Sequence, residues 1–298
     1  MSEQPQNIFV YGATGTIGRP LVRALAPAVE NGSINLRLGV RDVHGVKGAA
    51  LAVASDLDWP IDTLTASLAG TDTLFLLTGY TAGMIGQSER AIEAAKRAGV
   101  RHIVHLGAHA AADTDIEHLQ WHLDVERLIE HSGMNWTHLR PNWLMQNILR
   151  SILVSDEAVV IESSIPAGRP VSWVDADDVG AIAAGILQNP ARHHAQTYLL
   201  APECQSFRGV AEIVSRTLNI PCEVRETQID VLASRMTAHG DAYGLSALHY
   251  MRTLHNNGAP ECADMCGIDH LLGRRAAGWP QFIARHSDVF RSRGTNAV

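Results

Sequence analysis

Over roughly the first two hundred residues, short apolar runs alternate with longer segments whose apolar positions recur at helical spacing. This alternation predicts βαβ units and a parallel sheet. Strands are expected at 7–11, 34–40, 72–77, 101–106 and 135–140, with shorter ones near 51–55, 171–173 and 197–200. Helices are expected at 16–26, 60–69, 83–98, 115–132, 142–152 and 175–188. Gly99 and Gly133 stand where helix C-caps belong, and Asp175 stands where an N-cap belongs. Beyond about residue 200 the periodicity becomes mostly helical, over 206–219, 228–239, 241–257, 268–273 and 280–290.

The first strand runs straight into Gly12-Ala13-Thr14-Gly15-Thr16-Ile17-Gly18, and a helix follows. In that strand–turn–helix setting the three glycines have distinct tasks. Gly12 permits the tight turn, Gly15 lets backbone N–H groups approach a diphosphate, and Gly18 lets helix and strand pack closely. The helix N-terminus adds partial positive charge and unpaired donors, and Thr14, Thr16 and Ile17 belong to the same cradle. The expected fold is therefore α/β, a Rossmann-type doubly wound parallel sheet with a smaller, mostly helical C-terminal subdomain. Residues 1–200 are read as the NAD(P)-binding domain, with substrate-cleft segments inserted after 142, and residues 201–298 as a substrate subdomain. Ligands of such sheets bind beyond the carboxyl ends of the strands.

The second strand ends in Val40-Arg41-Asp42, about twenty residues past the last glycine, where an arginine accommodates the extra phosphate of NADP and an acid selects NAD. Arg41 can grip phosphate bidentately and stack on adenine. Asp42 is open to two readings, accepting from the ribose or neutralising Arg41. NADP(H) is expected ahead of NAD(H).

Composition narrows the partners. A net charge of −7 with no basic stripe argues against nucleic acid. No apolar run is long enough to span a bilayer, and the first six residues lack the basic and apolar regions of a secretory signal. Cys204, Cys222, Cys262 and Cys266 are read as reduced thiols of a cytoplasmic protein. A small-molecule substrate is expected, and a homodimer is one option for assembly.

Further segments, in order, are Ser55-Asp56-Leu57, Leu74-Phe75-Leu76-Leu77-Thr78, Ala94-Ala95-Lys96-Arg97-Ala98-Gly99-Val100 and His122-Leu123-Asp124-Val125-Glu126. They are followed by Ser132–Pro141 with Trp143 and Asn147, and by Val174-Asp175-Ala176-Asp177-Asp178-Val179. With the glycine turn and Arg41, this series resembles the NmrA-like atypical short-chain dehydrogenase/reductases, notably bacterial NADPH-quinone, azo-dye and triphenylmethane-dye reductases. The resemblance implies that Asp56 and Leu57 line the adenine. It places Leu77 and Thr78 near the ribose and diphosphate, and Gly107, Ala108 and His109 beside the nicotinamide. It also implies that Trp143 through Asn147 face a substrate cleft.

One departure changes the chemistry. Ordinary short-chain dehydrogenases use Tyr-x-x-x-Lys, but Lys47 and Lys96 are preceded four positions back by Val43 and Ile92. The strand-end serine is also absent, since Leu106-Gly107-Ala108-His109 stands there. Where the pair belongs, this chain has His122 and Glu126, on one helix face at i and i+4. Hydride transfer to a flat, electron-poor acceptor (a quinone, azo compound, imine or enone) is expected, with His122, oriented by Glu126, relaying a proton. Tyr80 and Trp143 are candidates for stacking on the substrate, with His109 and Asn147 as polar neighbours. His118-x3-His122 lacks a third ligand at a recognisable spacing, so no metal is expected. The alternative reading is a catalytically silent NADP(H)-binding sensor of the NmrA type.

Overall fold

The computed structural model describes residues 4–46, 50–155, 157–229, 242–257, 262 and 267–292. The chain divides into two compact units, Met1–Pro141 with Val179–Leu199, and Asn142–Asp178 with Leu200–Val298. Among the described residues, no helix is long and apolar enough to cross a membrane.

In the first unit the strands are β1 (Gln6–Tyr11), β2 (Ile34–Val40), β3 (Leu51–Ala54), β4 (Thr73–Leu76), β5 (His102–Leu106) and β6 (Asn135–Pro141). The helices α1 (Gly18–Glu30), α2 (Ile61–Leu68), α3 (Met84–Ala98) and α4 (Glu117–Glu130) connect them. These six strands pair in parallel in the order β6-β5-β4-β1-β2-β3, and β11 (Gln196–Leu200) extends the sheet to seven beside β6. Chain progression thus runs outward from β1 to β3, then reverses through β4 to β6. Because parallel crossovers are right-handed, this reversal puts helices on both faces of the sheet. Phe9, Leu74 and Ile103 from the sheet share one apolar core with Leu64, Leu68, Ala91, Ala95, Val125 and Ile129 from α2, α3 and α4. On the other layer α5 (Ala176–Gln188) meets α1 where Gly180 lies against the Pro20 and Leu21 backbone.

Past residue 200 the described elements are mostly helical, as expected, but the second unit also takes in strands from 142–178. It holds two three-stranded sheets. One is built from β7 (Trp143–Leu144), β10 (Pro170–Val174) and β12 (Glu203–Ser206), the other from β8 (Ile152–Val154), β9 (Val159–Ser163) and β13 (Cys222–Glu226). The helix expected over 142–152 does not form: β7 pairs with β10, Met145–Arg150 is a 3-10 turn, and β8 pairs with β9. The spacing there fits a helix, but Ile152, Leu153 and Val154 gain more from lying on a sheet, so tertiary pairing overrides the local pattern. The helix expected over 280–290 is two short ones, Trp279–Arg285 and Ser287–Arg291. Most of the one expected over 228–239 lies outside the described residues. Trp173, Phe207, Trp279, Phe282 and Phe290 fill a core that also takes in α6 (Phe207–Leu218).

The reading of every cysteine as a reduced thiol is corrected: Cys204 and Cys262 form a disulfide across 58 residues of sequence. Chain spacing gave no sign of it, because Cys204, on β12, and Cys262 meet only through the fold.

Candidate functional site

The carboxyl ends of β1 to β5 lie along one edge of the parallel sheet, and β1 occupies the point where strand order reverses. The glycine turn leaves β1 at this place. Gly12 has φ +75°, in the left-handed region, and a Cβ there would come within 2.7 Å of the Leu77 side chain. At Gly18 a Cβ would lie 2.0 Å from the Gly12 carbonyl oxygen. Neither position tolerates a side chain, so the turn folds back closely on its own helix. The Gly15 N–H donates to the Gly12 carbonyl at 3.0 Å, and the Arg19 Nε donates to the Thr14 carbonyl at 2.8 Å. Thr14, Gly15 and Thr16 are exposed at the tip, whereas Ile17 and Gly18 are buried. Ile17 supplies no side-chain cap to α1, and the first turn of α1 carries no acid. The Arg19 N–H donates to the Gly15 carbonyl at 3.1 Å and Pro20 has no N–H, so the amides of Thr16, Ile17 and Gly18 are the donors at this terminus that could meet an anion.

The neighbouring strand ends carry the other cofactor candidates. Arg41 and Asp42 are exposed just past β2. The Asp42 carboxylate accepts from the His44 N–H at 2.9 Å and caps the short turn Val43–Gly45. The Ser55 N–H donates to the Val40 carbonyl, which brings Asp56 and Leu57 beside Arg41 on the adjacent strand end. Asp56 accepts from the Asp58 N–H at 3.0 Å, and the Leu57 carbonyl accepts from Arg90 at 2.9 Å. Leu77, under the glycine turn, and buried Thr78 follow β4, and Tyr80 is 68% exposed beyond them. At the end of β5 the Gly107 N–H donates to Leu139 and the His109 N–H to Pro141, pinning this edge to β6.

The proposed His122–Glu126 partnership needs correction. Both carboxylate oxygens of Glu126 are taken by Arg140, with Nε 2.9 Å from Oε1 and an Nη2 contact to Oε2. His122 is 5% exposed, and its Nδ1 has no hydrogen-bond partner. Burial, with a smaller contribution from His118, pushes its pKa down to about 4. Such an imidazole is neutral near pH 7 and poorly suited to donate a proton there. The i and i+4 spacing correctly placed both side chains on one helix face, but a guanidinium from β6 outcompetes a neutral ring for a buried carboxylate.

Trp143 and Asn147 belong to the second unit. Trp143 meets Trp173 edge-on at 5.6 Å and donates from Nε1 to the Tyr250 hydroxyl at 3.3 Å, while Asn147 is exposed on the 3-10 turn. Sequence reasoning missed Arg140, His105 and His138. The signal for the two histidines was register, since His105 pairs with His138 across β5 and β6.

With the edge of the sheet in view, the similarity to known proteins becomes specific. The model of the NmrA-like family matches residues 4–276. The chain belongs to the NmrA-like family. An NAD(P)H azoreductase from Xenophilus azovorans is 30% identical over 292 residues, covering 95% of this chain and 99% of that protein. A (4-alkanoyl-5-oxo-2,5-dihydrofuran-3-yl)methyl phosphate reductase from Streptomyces griseus is 28% identical over 286 residues, covering 95% and 99%. The crystal structure of Citrobacter sp. triphenylmethane reductase, complexed with NADP(H), superposes with a TM-score of 0.76 at 21% identity, over 94% of this chain and 99% of that one. This last likeness establishes the NmrA-like fold.

Proposed function

We propose that this NmrA-like protein is an NAD(P)H-dependent reductase that prefers NADPH and reduces a planar unsaturated acceptor such as a quinone, azo compound, imine or enone. The observation that carries the reading is the glycine turn at the strand-order reversal, where side chains are sterically excluded at Gly12 and Gly18 and no side chain caps α1. Backbone N–H groups of Thr14, Thr16 and Ile17 would hold the diphosphate, with the α1 terminus behind them. Arg41 would hold the additional phosphate of NADP, with Asp56 and Leu57 along the adenine. Leu77 and Thr78 would flank the ribose, and Gly107 and Ala108 would border the nicotinamide. From the Arg41 strand to the Gly107 strand the edge spans three strand spacings, about 14 Å, room for an extended dinucleotide.

When bound, the reduced nicotinamide supplies a hydride, and the acceptor gains that hydride and one proton. Two-electron reduction of an electron-poor acceptor yields a stabilised anion, so the reaction does not depend on the Tyr-x-x-x-Lys acid that this chain lacks. His109, at the end of β5, is assigned to the proton, with solvent as its source. The relatives named as an azoreductase and a furan-phosphate reductase support the reaction class, since both act on conjugated, flat substrates.

The test is oxidation of NADPH and NADH over a panel of quinones, azo dyes and cyclic imines. Turnover with at least one class, faster with NADPH, is expected. The missing Tyr–Lys pair favours one other reading, a redox sensor. Tight binding that discriminates oxidised from reduced cofactor, with no turnover across the panel, would select it.

A further inference from the structure

A cluster of ligating side chains lies buried away from the glycine turn, and the function proposed above makes no use of it. His105 of β5, His138 of β6 and Glu126 of α4 each present one donor atom within 4.8 Å of the others, and all three residues are buried. The His105 Nδ1 and both ring nitrogens of His138 have no hydrogen-bond partner. Unpaired buried polar atoms cost free energy and call for an occupant. Two of the three ligands are register partners on adjacent parallel strands, so the sheet itself holds their rings on one face. The ring centroids are 5.5 Å apart. Only the fold brings these three residues together; along the chain, His118-x3-His122 was the one pair that suggested a metal grip.

We propose that His105, His138 and Glu126 form a binding site for a divalent first-row transition ion, with Zn2+ as the reference ion, tying β5, β6 and α4 together. Two imidazoles and a carboxylate without thiolate suit zinc and its neighbours rather than the hard ions calcium and magnesium. A tetrahedral ion sits about 2.0–2.1 Å from each donor, which puts donors roughly 3.4 Å apart. Binding draws any two of these donors together by at most about 1.4 Å, within reach of side-chain rotation.

The Arg140 guanidinium beside Glu126 is the main electrostatic objection. Each carboxylate oxygen has two lone pairs and Arg140 engages one on each, so Glu126 can bind an ion while Arg140 orients it from behind. A second carboxylate stands close by, with Glu130 Oε1 3.5 Å from His138 Nε2. Glu126 and Glu130 against Arg140 leave one net negative charge around the site. His122 adjoins His105 with centroids 6.5 Å apart but lies outside the ligand set. Burial keeps the His105 and His138 rings neutral, the form that binds metal.

The full chain, stripped with chelator and dialysed against Zn2+, tests this by metal analysis and by X-ray absorption at the zinc edge. About one bound ion per chain is expected, with a first shell of two imidazoles and oxygen and no sulfur. His105→Phe and His138→Leu, which fill the space with apolar groups, are expected to reduce uptake to background. No uptake by the unaltered chain, or uptake that both folded variants retain, overturns the proposal. If the variants fail to fold, the absorption spectrum of the unaltered chain decides alone, and a sulfur-containing or single-imidazole shell overturns the proposal.

Discussion

Arg41 shows what a single side chain contributes to the site. It is exposed at the end of β2, beside the Asp56 segment, with its neighbour Asp42 committed to a backbone cap. Charge-assisted hydrogen bonds contribute about 1.5–3 kcal/mol, so Arg41→Ala should raise the Kd for NADPH by roughly 10- to 100-fold. The Kd for NADH should change little, because NADH lacks the phosphate. Titration of both nucleotides into both proteins checks this, and equal losses would remove Arg41 from cofactor selection. At this scale the sequence was readable where a residue works through the backbone, as Gly12 and Gly18 do. It was opaque where a partner comes from a distant element. His122 and Glu126 read as a pair because they share a helix face, yet Arg140, fourteen positions on, holds the carboxylate.

Asp175 makes the corresponding point for elements. The pattern named it as the cap of α5, and its Oδ1 does accept from the Asp177 N–H at 3.0 Å. The same carboxylate, fully buried, also receives the Gln146 amide at 2.7 Å and the Arg285 guanidinium. It thus joins the 3-10 turn, α5 and the Trp279–Arg285 helix within the second unit. Asp175→Ala should cost about 2–4 kcal/mol, beyond an ordinary cap loss of about 1 kcal/mol, because the bonds from Gln146 and from the 40%-exposed Arg285, which keeps Asp177 at 3.9 Å, go with the cap. Asp175→Asn, which keeps the cap, should recover part of this. Denaturant unfolding measures both, and a loss near 1 kcal/mol for the alanine variant would reduce Asp175 to a cap. The parallel sheet was legible for a related reason, since βαβ periodicity is local. The two small sheets of the second unit were not, because β7 and β9 pair with β10 and β13, strands distant in the chain, and the short β8 joins only by a hairpin to β9.

For the whole molecule, buried histidines set the response to acid. Burial pushes His102, His118 and His122 each down to about 4 from an ordinary 6.5. Between those values the unfolded chain binds more protons than the folded one, so stability rises with pH across this window. It is complete above about pH 6.5 and is lost progressively as pH falls toward 4. One such imidazole corresponds to roughly 3 kcal/mol at full loss, an order-of-magnitude figure. The Tm should therefore drop steeply between pH 6.5 and 4.5, and a flat profile would contradict the burial of these rings. The Cys204–Cys262 disulfide closes 58 residues of chain, a constraint on the unfolded state of about 4 kcal/mol. Peptide mapping without reductant should recover Cys204 and Cys262 as one linked pair. Full alkylation of both before reduction would contradict the bond.

Cofactor binding at the turn between β1 and α1 is tested most directly by calorimetric titration of the folded chain with NADPH. Saturable binding at about one nucleotide per chain is expected. It should be lost in Gly15→Val, where a Cβ would press on the Gly12 carbonyl at 3.2 Å and a side chain would keep the backbone from a diphosphate, while that variant keeps its secondary structure. Absence of binding heat from both NADPH and NADH in the well-folded, unaltered chain would contradict the central claim.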